Sequence, residues 1–491
     1  MVTQAYSALM SLVIPPPETS GSQDIVTTGA TMRVEDTGSM SIGSGAASFP
    51  PVDLPHELLI EIFNFACLAR GGEANAVNPL FLAKICRSWR AVLFKIRAFW
   101  QEANLILNSH YSTQISLLEE WTARAGGLPL SISIADPKSI LNTLLPEEEL
   151  THLLDLIRIL SPQAHSLSLE IPVIFYDRWR DCGLADYSWP LLSNLALSTT
   201  LGSSALSDPS HKLDFLSCPI LTTTTIKSLF HSHVCLPWRS LLHIRFDSVL
   251  CSELYGALES CPLLQTLEAV GINEDDDFSA KTIDLRSLKR LTFELEDEQN
   301  DCWACCRLLN LLRPPELRTL VLKLAKSAPF KSFEFDIYPC ISQSGCQLSE
   351  LTVEGASLEE TVLIDCLRLL PSLRTLRLSE NTWFDAEGDL TPLGPTSLSL
   401  MIAASPDGLL MLPNLRALTF AGSDAEFSAE LVVEVLASRW DNLGDDVEAH
   451  ATLQSVTIIP ERGDASLWEV DKDQQAIFEN WRRRGYSVKV E

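Results

Sequence analysis

Leu373-Arg374-Thr375-Leu376-Arg377-Leu378 is one copy of a pattern that recurs through the second half of the chain, and its reading decides the fold. Alternate residues of a strand point to the same side, so the fourth and sixth places of Leu-x-x-Leu-x-Leu face one core and the residues between them face away. The form recurs at Leu192-Leu195-Leu197, Leu241-Ile244-Phe246, Leu264-Leu267-Ala269, Leu288-Leu291-Phe293, Leu317-Leu320-Leu322, Leu348-Leu351-Val353, Leu415-Leu418-Phe420 and Leu453-Val456-Ile458. Nine copies in all are too many for coincidence. Between central residues the steps from Ile244 to Leu376 run from 23 to 31 residues, and the last two lengthen to about 40.

Each copy makes sense as a strand followed by a segment that covers its apolar side, with stacked units sharing one continuous core. The connections support this, because Cys302 to Leu312 and Glu359 to Leu370 carry apolar residues at helical spacing. Proline just before the strand, as at Pro262, Pro371 and Pro413, ends the helix and turns the chain. The motif and the shorter steps resemble the leucine-rich repeat, whose period is roughly 20–29 residues. The expected fold class is α/β, with an irregular leucine-rich-repeat-like solenoid over 105–491. The long step from Leu376 to Leu418 holds Gly388, Pro392, Gly394, Pro395, Pro406 and Gly408, and predicts a loop insertion near 380–412. Residues 474–491 read as a C-terminal cap: a helix, a stop at Gly485 and a closing strand.

Ahead of the repeats stands a different pattern. Residues 1–50 are rich in Ser, Thr, Gly and Pro without a sustained period and read as a disordered leader. From 51 to 104 the chain reads as two short amphipathic helices. Pro55 suits the first helical position and Glu57 the first turn, and Leu58, Leu59, Ile62, Phe63 and Ala66 repeat at helical spacing. After Gly71-Gly72 and Pro79, a second stripe runs through Leu82, Cys86, Trp89, Leu93 and Ile96. Two such helices cannot bury their apolar faces against each other alone, so part of the surface is either core for the domain behind or a docking face for another protein.

Leu54-Pro55-x-Glu57-Leu58-Leu59-x-x-Ile62-Phe63, followed by Cys86-Arg87-x-Trp89-Arg90 and a later Trp100, resembles the F-box in the form common in fungal F-box-like proteins. The connection from Leu68 to Asn78 is longer than usual for that family. The resemblance implies docking on the Skp adaptor of a cullin–RING ubiquitin ligase. Carried over residue by residue, the adaptor-facing positions are Leu54, Pro55, Leu58, Leu59, Ile62, Phe63, Ile85, Cys86, Trp89 and Leu93, some of which must serve as internal core. It also implies that the chain is not an enzyme and needs no cofactor, since it would contribute position only while the partners perform catalysis. The repeats would hold a protein substrate. The alternatives are an F-box-like scaffold outside any ligase, a repeat protein that binds a partner with no adaptor, its residues 54–100 then being a helical cap for the domain behind, and, in a different class, a hydrolase or transferase on an α/β scaffold.

Composition bounds these readings. With 64 acidic against 37 basic residues the net charge is −27, which argues against a nucleic-acid or anionic-membrane surface. The thirteen cysteines lie in apolar contexts of a chain too large to need staples, and read as reduced core thiols. The first basic residue is Arg33, too late for a signal peptide, and no apolar run is long enough to span a membrane. A cytoplasmic or nuclear protein is expected.

Candidate chemistry is thin. Cys302-x-x-Cys305-Cys306 has zinc-pair spacing, but no second pair follows at a matching distance, and the residues share a helical face with Leu309. His231-x-His233-x-Cys235 is explained equally well by alternation on an edge or loop, and Glu274-Asp275-Asp276-Asp277 lacks the glycine turn of a calcium loop. No metal site is expected. The second place of the strand motif is more informative, because it holds Lys289, Arg318, Arg374 and Arg416 in an acidic chain. Stacking at about 4.8 Å per strand would align them along one edge of the sheet. With Arg245, Arg290 and Arg377 nearby, the row is a candidate substrate surface for an acidic or phosphorylated segment. The competing reading packs these side chains over neighbouring strands and pairs them with acids.

Overall fold

Three positions in each of nine motif copies are at most 3% exposed in the computed structural model, so the leucine pattern does mark one core. The structure describes residues 55–67, 79–108, 111–136, 147–181, 187–199, 212–275, 281–295, 302–323, 337–355, 360–379, 393–402, 411–422, 429–440, 453–460 and 470–490. The expected leader, Leu54 and the 68–78 connection lie outside them. The chain packs as two compact units, one ending at Ile132 and one beginning at Ser133.

The first unit holds α1 (His56–Cys67), α2 (Pro79–Leu82), α3 (Arg87–Leu93), a 3₁₀ turn (Arg97–Trp100), β1 (Glu102–Ile106), α4 (Tyr111–Ala125) and the first half of β2 (Leu130–Ala135). Pro55 stands just before α1, and its carbonyl accepts from the Leu59 N–H at 3.1 Å. Trp100 is the pivot of this unit. Fully buried, it meets Trp121 of α4 edge-on at 4.6 Å and Phe94 at 5.3 Å, while its indole N–H donates to the Leu93 carbonyl at 3.4 Å. The Arg124 guanidinium covers the Phe94 and Trp100 rings at 4.3 and 4.8 Å. Helix α4 thus packs with the preceding helices, and the unit runs past residue 104, where the sequence places its end.

The second unit continues with β3 (Ala164–Glu170), β4 (Asn194–Ser198), β5 (Leu213–Asp214), β6 (Thr223–Lys227), β7 (Val234–Cys235), β8 (His243–Leu250) and β9 (Thr266–Asn273). Then come β10 (Ile283–Asp284), β11 (Arg290–Glu294), β12 (Leu312–Arg313), β13 (Thr319–Lys323), β14 (Glu350–Glu354), β15 (Thr375–Ser379), β16 (Ala417–Gly422), β17 (Ser455–Pro460) and β18 (Ser487–Val490). Strands β3, β4, β6, β8, β9, β11 and β13 to β18 form one large sheet, bonded in chain order and parallel at every pair. The helices of this unit are α5 (Glu147–Leu160), before β3, and, between the strands, α6 (Val173–Asp181), α7 (Cys251–Glu259), α8 (Cys302–Leu311), α9 (Tyr338–Ser344), α10 (Glu360–Arg368), α11 (Pro395–Ile402), α12 (Ala429–Trp440) and α13 (Lys472–Arg483). A parallel pair needs such a crossover, and the strands bury alternate residues because the helices cover one face of the sheet. The architecture is mixed α/β with a large parallel sheet.

The register runs Leu195, Thr224, Ile244, Leu267, Leu291, Leu320, Leu351, Leu376, Leu418, Val456 and Val488, each paired with the next. Thr224 belongs to a copy, Leu221-Thr224-Ile226, that the leucine pattern misses, although all three residues are fully buried. Its hydroxyl is buried without a hydrogen-bond partner. Replacing it with a methyl removes an uncompensated polar group, so Thr224→Val should raise stability by roughly 1 kcal/mol. Urea unfolding checks this; an unchanged or lower midpoint would mean that the hydroxyl is satisfied in solution.

The 380–412 insertion is not a loop throughout. Residues 380–392 and 403–410 lie outside the described residues, but α11 stands between them with Leu398 and Met401 buried. Arg439 of α12 ties this region down, its guanidinium donating to the carbonyls of Met401, Met411 and Leu412. Burial pulls the Arg439 pKa down to about 10. At the C-terminus, Asp471 caps α13 with Gln474 in a reciprocal capping box, Gly485 turns the chain at φ 96°, and β18 adds the last parallel strand beside β17.

Candidate functional site

Helix α1 divides its apolar residues between two faces. Leu59 and Phe63 are buried, and Phe63 meets the Trp89 ring edge-on at 5.1 Å. Leu58, Ile62 and Phe65, at spacings of four and three, form a separate stripe that is 52%, 42% and 82% exposed. The same unit exposes Phe81 and Ile85, with the Lys84 ammonium 5.0 Å from the Phe81 ring centroid. A helix that leaves three large apolar side chains in line on its open face presents a surface suited to a partner.

Of the ten residues expected to face an adaptor, Leu59, Phe63 and Leu93 are therefore core, and Leu93 is fully buried. Cys86 is the N-cap of α3, its sulfur accepting from the Trp89 N–H at 3.4 Å, and both side chains are half-buried. Pro55, Leu58, Ile62 and Ile85 are exposed. Leu54 lies outside the described residues. Phe65 and Phe81, which the sequence reading passed over, are exposed as well; the signal was present, since Phe65 falls three residues after Ile62.

In the second unit the motif's second places form a ladder along one rim of the sheet. The Arg318 N–H donates to the Lys289 carbonyl at 2.9 Å, Ser349 to Arg318 at 2.8 Å, Arg374 to Ser349 at 2.9 Å, and Arg416 to Arg374 at 2.8 Å. Lys289 and Arg318 are thus on adjacent strands, as are Arg374 and Arg416, with Ser349 between the pairs. All four basic residues are exposed, and none forms an ion pair among the described residues.

The residues further along the strands behave differently. Arg290 reaches Glu350 at 3.9 Å, Arg377 reaches Glu354 at 3.7 Å, Lys323 reaches Glu294 at 3.4 Å, and Arg245 pairs with Glu268. Arg290 and Arg377, grouped with the row in the sequence reading, are neutralised by acids on nearby strands. The open face of the sheet is charge-paired and its rim is not.

Of the metal candidates, Cys305 and Cys306 are buried in α8. His231 packs on Trp238 at 4.6 Å and His233 on Phe230 at 5.1 Å; burial lowers the pKa of both imidazoles and raises that of the Cys235 thiol. Among the described residues no helix is long and apolar enough to cross a membrane. Compared with models of known protein families and with curated proteins, the chain matches none.

Proposed function

We propose that this chain is a substrate-recognition subunit of a Skp–cullin–F-box ubiquitin ligase, with α1 to α3 as the F-box and the parallel sheet as a leucine-rich-repeat-like solenoid that binds a protein substrate. The exposed stripe Leu58, Ile62 and Phe65 carries the reading. Apolar side chains left open on a helix whose other face is core are what a helical partner needs, and they fall on the F-box-like motif. In this role the chain performs no chemistry of its own; it raises the effective concentration of a substrate beside a conjugating enzyme. The reading places the protein in the cytoplasm or nucleus, where such ligases assemble.

Affinity purification of the full chain from its native cells, probed for the Skp adaptor and for the cullin, tests the assignment. Recovery of both in comparable amounts is the expected result. Adaptor without cullin would replace the ligase with a non-ligase scaffold, and the absence of both would leave the repeats binding a partner on their own.

A further inference from the structure

The rim that carries the basic row changes character along its length. Eight copies enter their strands through a hydrogen-bonded turn, closed by Leu192 N–H to the Trp189 carbonyl, Leu221 to Cys218, Leu241 to Trp238, Leu264 to Cys261, Leu288 to Leu285, Leu317 to Pro314, Leu373 to Leu370 and Leu415 to Leu412, at 3.1 to 3.4 Å. Six of the eight hold proline at their second position, which pre-sets the backbone of a tight turn, and the turns before β8 and β11 hold the exposed Arg239 and Arg286 there. Their third position is the tip. It is Leu191, Ile220 and Leu263 before β4, β6 and β9, Glu316, Ser372 and Asn414 before β13, β15 and β16, and Ser240 and Ser287 before β8 and β11. The apolar tips are 38% to 52% exposed, and Leu216, in the same loop as Ile220, is more open still.

The ladder residues beside these tips change at the same place. They are Ser193, Thr222, Leu242 and Gln265 on the first half, then Lys289, Arg318, Ser349, Arg374 and Arg416 on the second. The first half of the rim therefore has an uncharged ladder and three apolar tips, with Arg239 the exposed charge in its turns, and the second carries four ladder cations without an ion pair among the described residues against one acidic tip, Glu316. In a chain of net charge −27 whose neighbouring strand residues are ion-paired, four cations left open together mark a place for an anion.

We infer that this rim binds an extended protein segment, with apolar residues lying over the β4–β9 turns and acidic or phosphorylated residues over the β11–β16 row. From β4 to β16 there are eight strand steps, which at about 4.8 Å each span roughly 38 Å, the reach of about 11 or 12 extended residues. The basic half covers four of those steps, or about six residues. Polyanionic nucleic acid fits the row but not the apolar tips, and the chain's net charge repels it. The inference names the substrate class for the repeats of the proposed receptor, and it does not depend on adaptor docking.

The test uses the full chain and two displayed libraries of random peptides long enough to span the rim, one built with phosphoserine. Enrichment of peptides with an apolar cluster at one end and an acidic cluster at the other is expected, and the two libraries distinguish carboxylate from phosphate as the anion. Lys289→Glu, Arg318→Glu, Arg374→Glu and Arg416→Glu combined should weaken a selected peptide about 100-fold or more, and added salt should weaken wild-type binding. Leu191→Ser, Ile220→Ser and Leu263→Ser combined should cost about 10-fold through the other half. Circular dichroism and adaptor binding of both variants should match wild type; because all seven side chains are exposed, folding is not at stake. Libraries that return no acidic peptides, or a selected peptide that binds the charge-reversed chain as tightly as wild type, would overturn the inference. Failure of adaptor binding in the wild-type chain would overturn only the ligase reading.

Discussion

Leu58→Asp and Ile62→Asp together should reduce binding of the Skp adaptor by at least about 100-fold and leave the urea unfolding midpoint of the chain where it was. Both side chains are about half exposed in the chain alone, so the carboxylates stay hydrated and folding loses little. On docking they would be stripped of water against an apolar surface, which costs several kcal/mol when nothing there can pair with them. The neighbouring positions supply the contrast. Leu59→Asp or Phe63→Asp puts the same charge into the core beside Trp89 and should unfold the first unit outright. If the exposed pair leaves adaptor affinity within about threefold, α1 is not the docking helix; if it also lowers the unfolding midpoint, the stripe is covered by the protein itself.

That contrast lies beyond sequence reading. Leu58, Leu59, Ile62 and Phe63 all fit one helical apolar pattern, and periodicity reports that a face is apolar without reporting what covers it. The split between core and surface depends on where Trp89 arrives from later in the chain. The repeats were easier to read, because three buried positions recur in a fixed local order and each strand pairs with the next copy. Where a local residue broke the form, the copy went unseen: Thr224 took a leucine's place, and the distance from Leu195 to Ile244, about twice a normal step, was the trace it left. The ion pairs were invisible for a related reason. Arg290 and Glu350 lie far apart in sequence and meet only because β11, β13 and β14 stack in register. The closing helix, Gly485 and last strand were legible because a capping residue, a glycine stop and a β-rich tail are local signals.

Trp440→Ala should cost about 3–5 kcal/mol, the cost of emptying a large aromatic site, and the loss should be confined to the C-terminal end. Trp440 is almost fully buried, stacks on Tyr486 at 4.3 Å, meets Trp481 edge-on at 5.0 Å, and donates its indole N–H to the Leu453 carbonyl. Its own carbonyl accepts from Arg484 at 3.2 Å. One side chain therefore joins α12, the start of β17, α13 and the turn into β18. At this end of the sheet β18 pairs with β17 alone. In a sheet bonded strictly in chain order each strand answers to its neighbours, so a defect at one end need not reach β4 or β8. The expected outcome is a urea profile with an early step of lost protection in 453–490 by hydrogen exchange, followed by a main transition near the wild-type midpoint. A single transition shifted as a whole would show that the sheet unfolds as one cooperative block. An unshifted single transition would show that Phe478 and Trp481 hold the end without Trp440. In the early step β16 becomes an open edge, so the variant should also self-associate as the segment beyond it detaches.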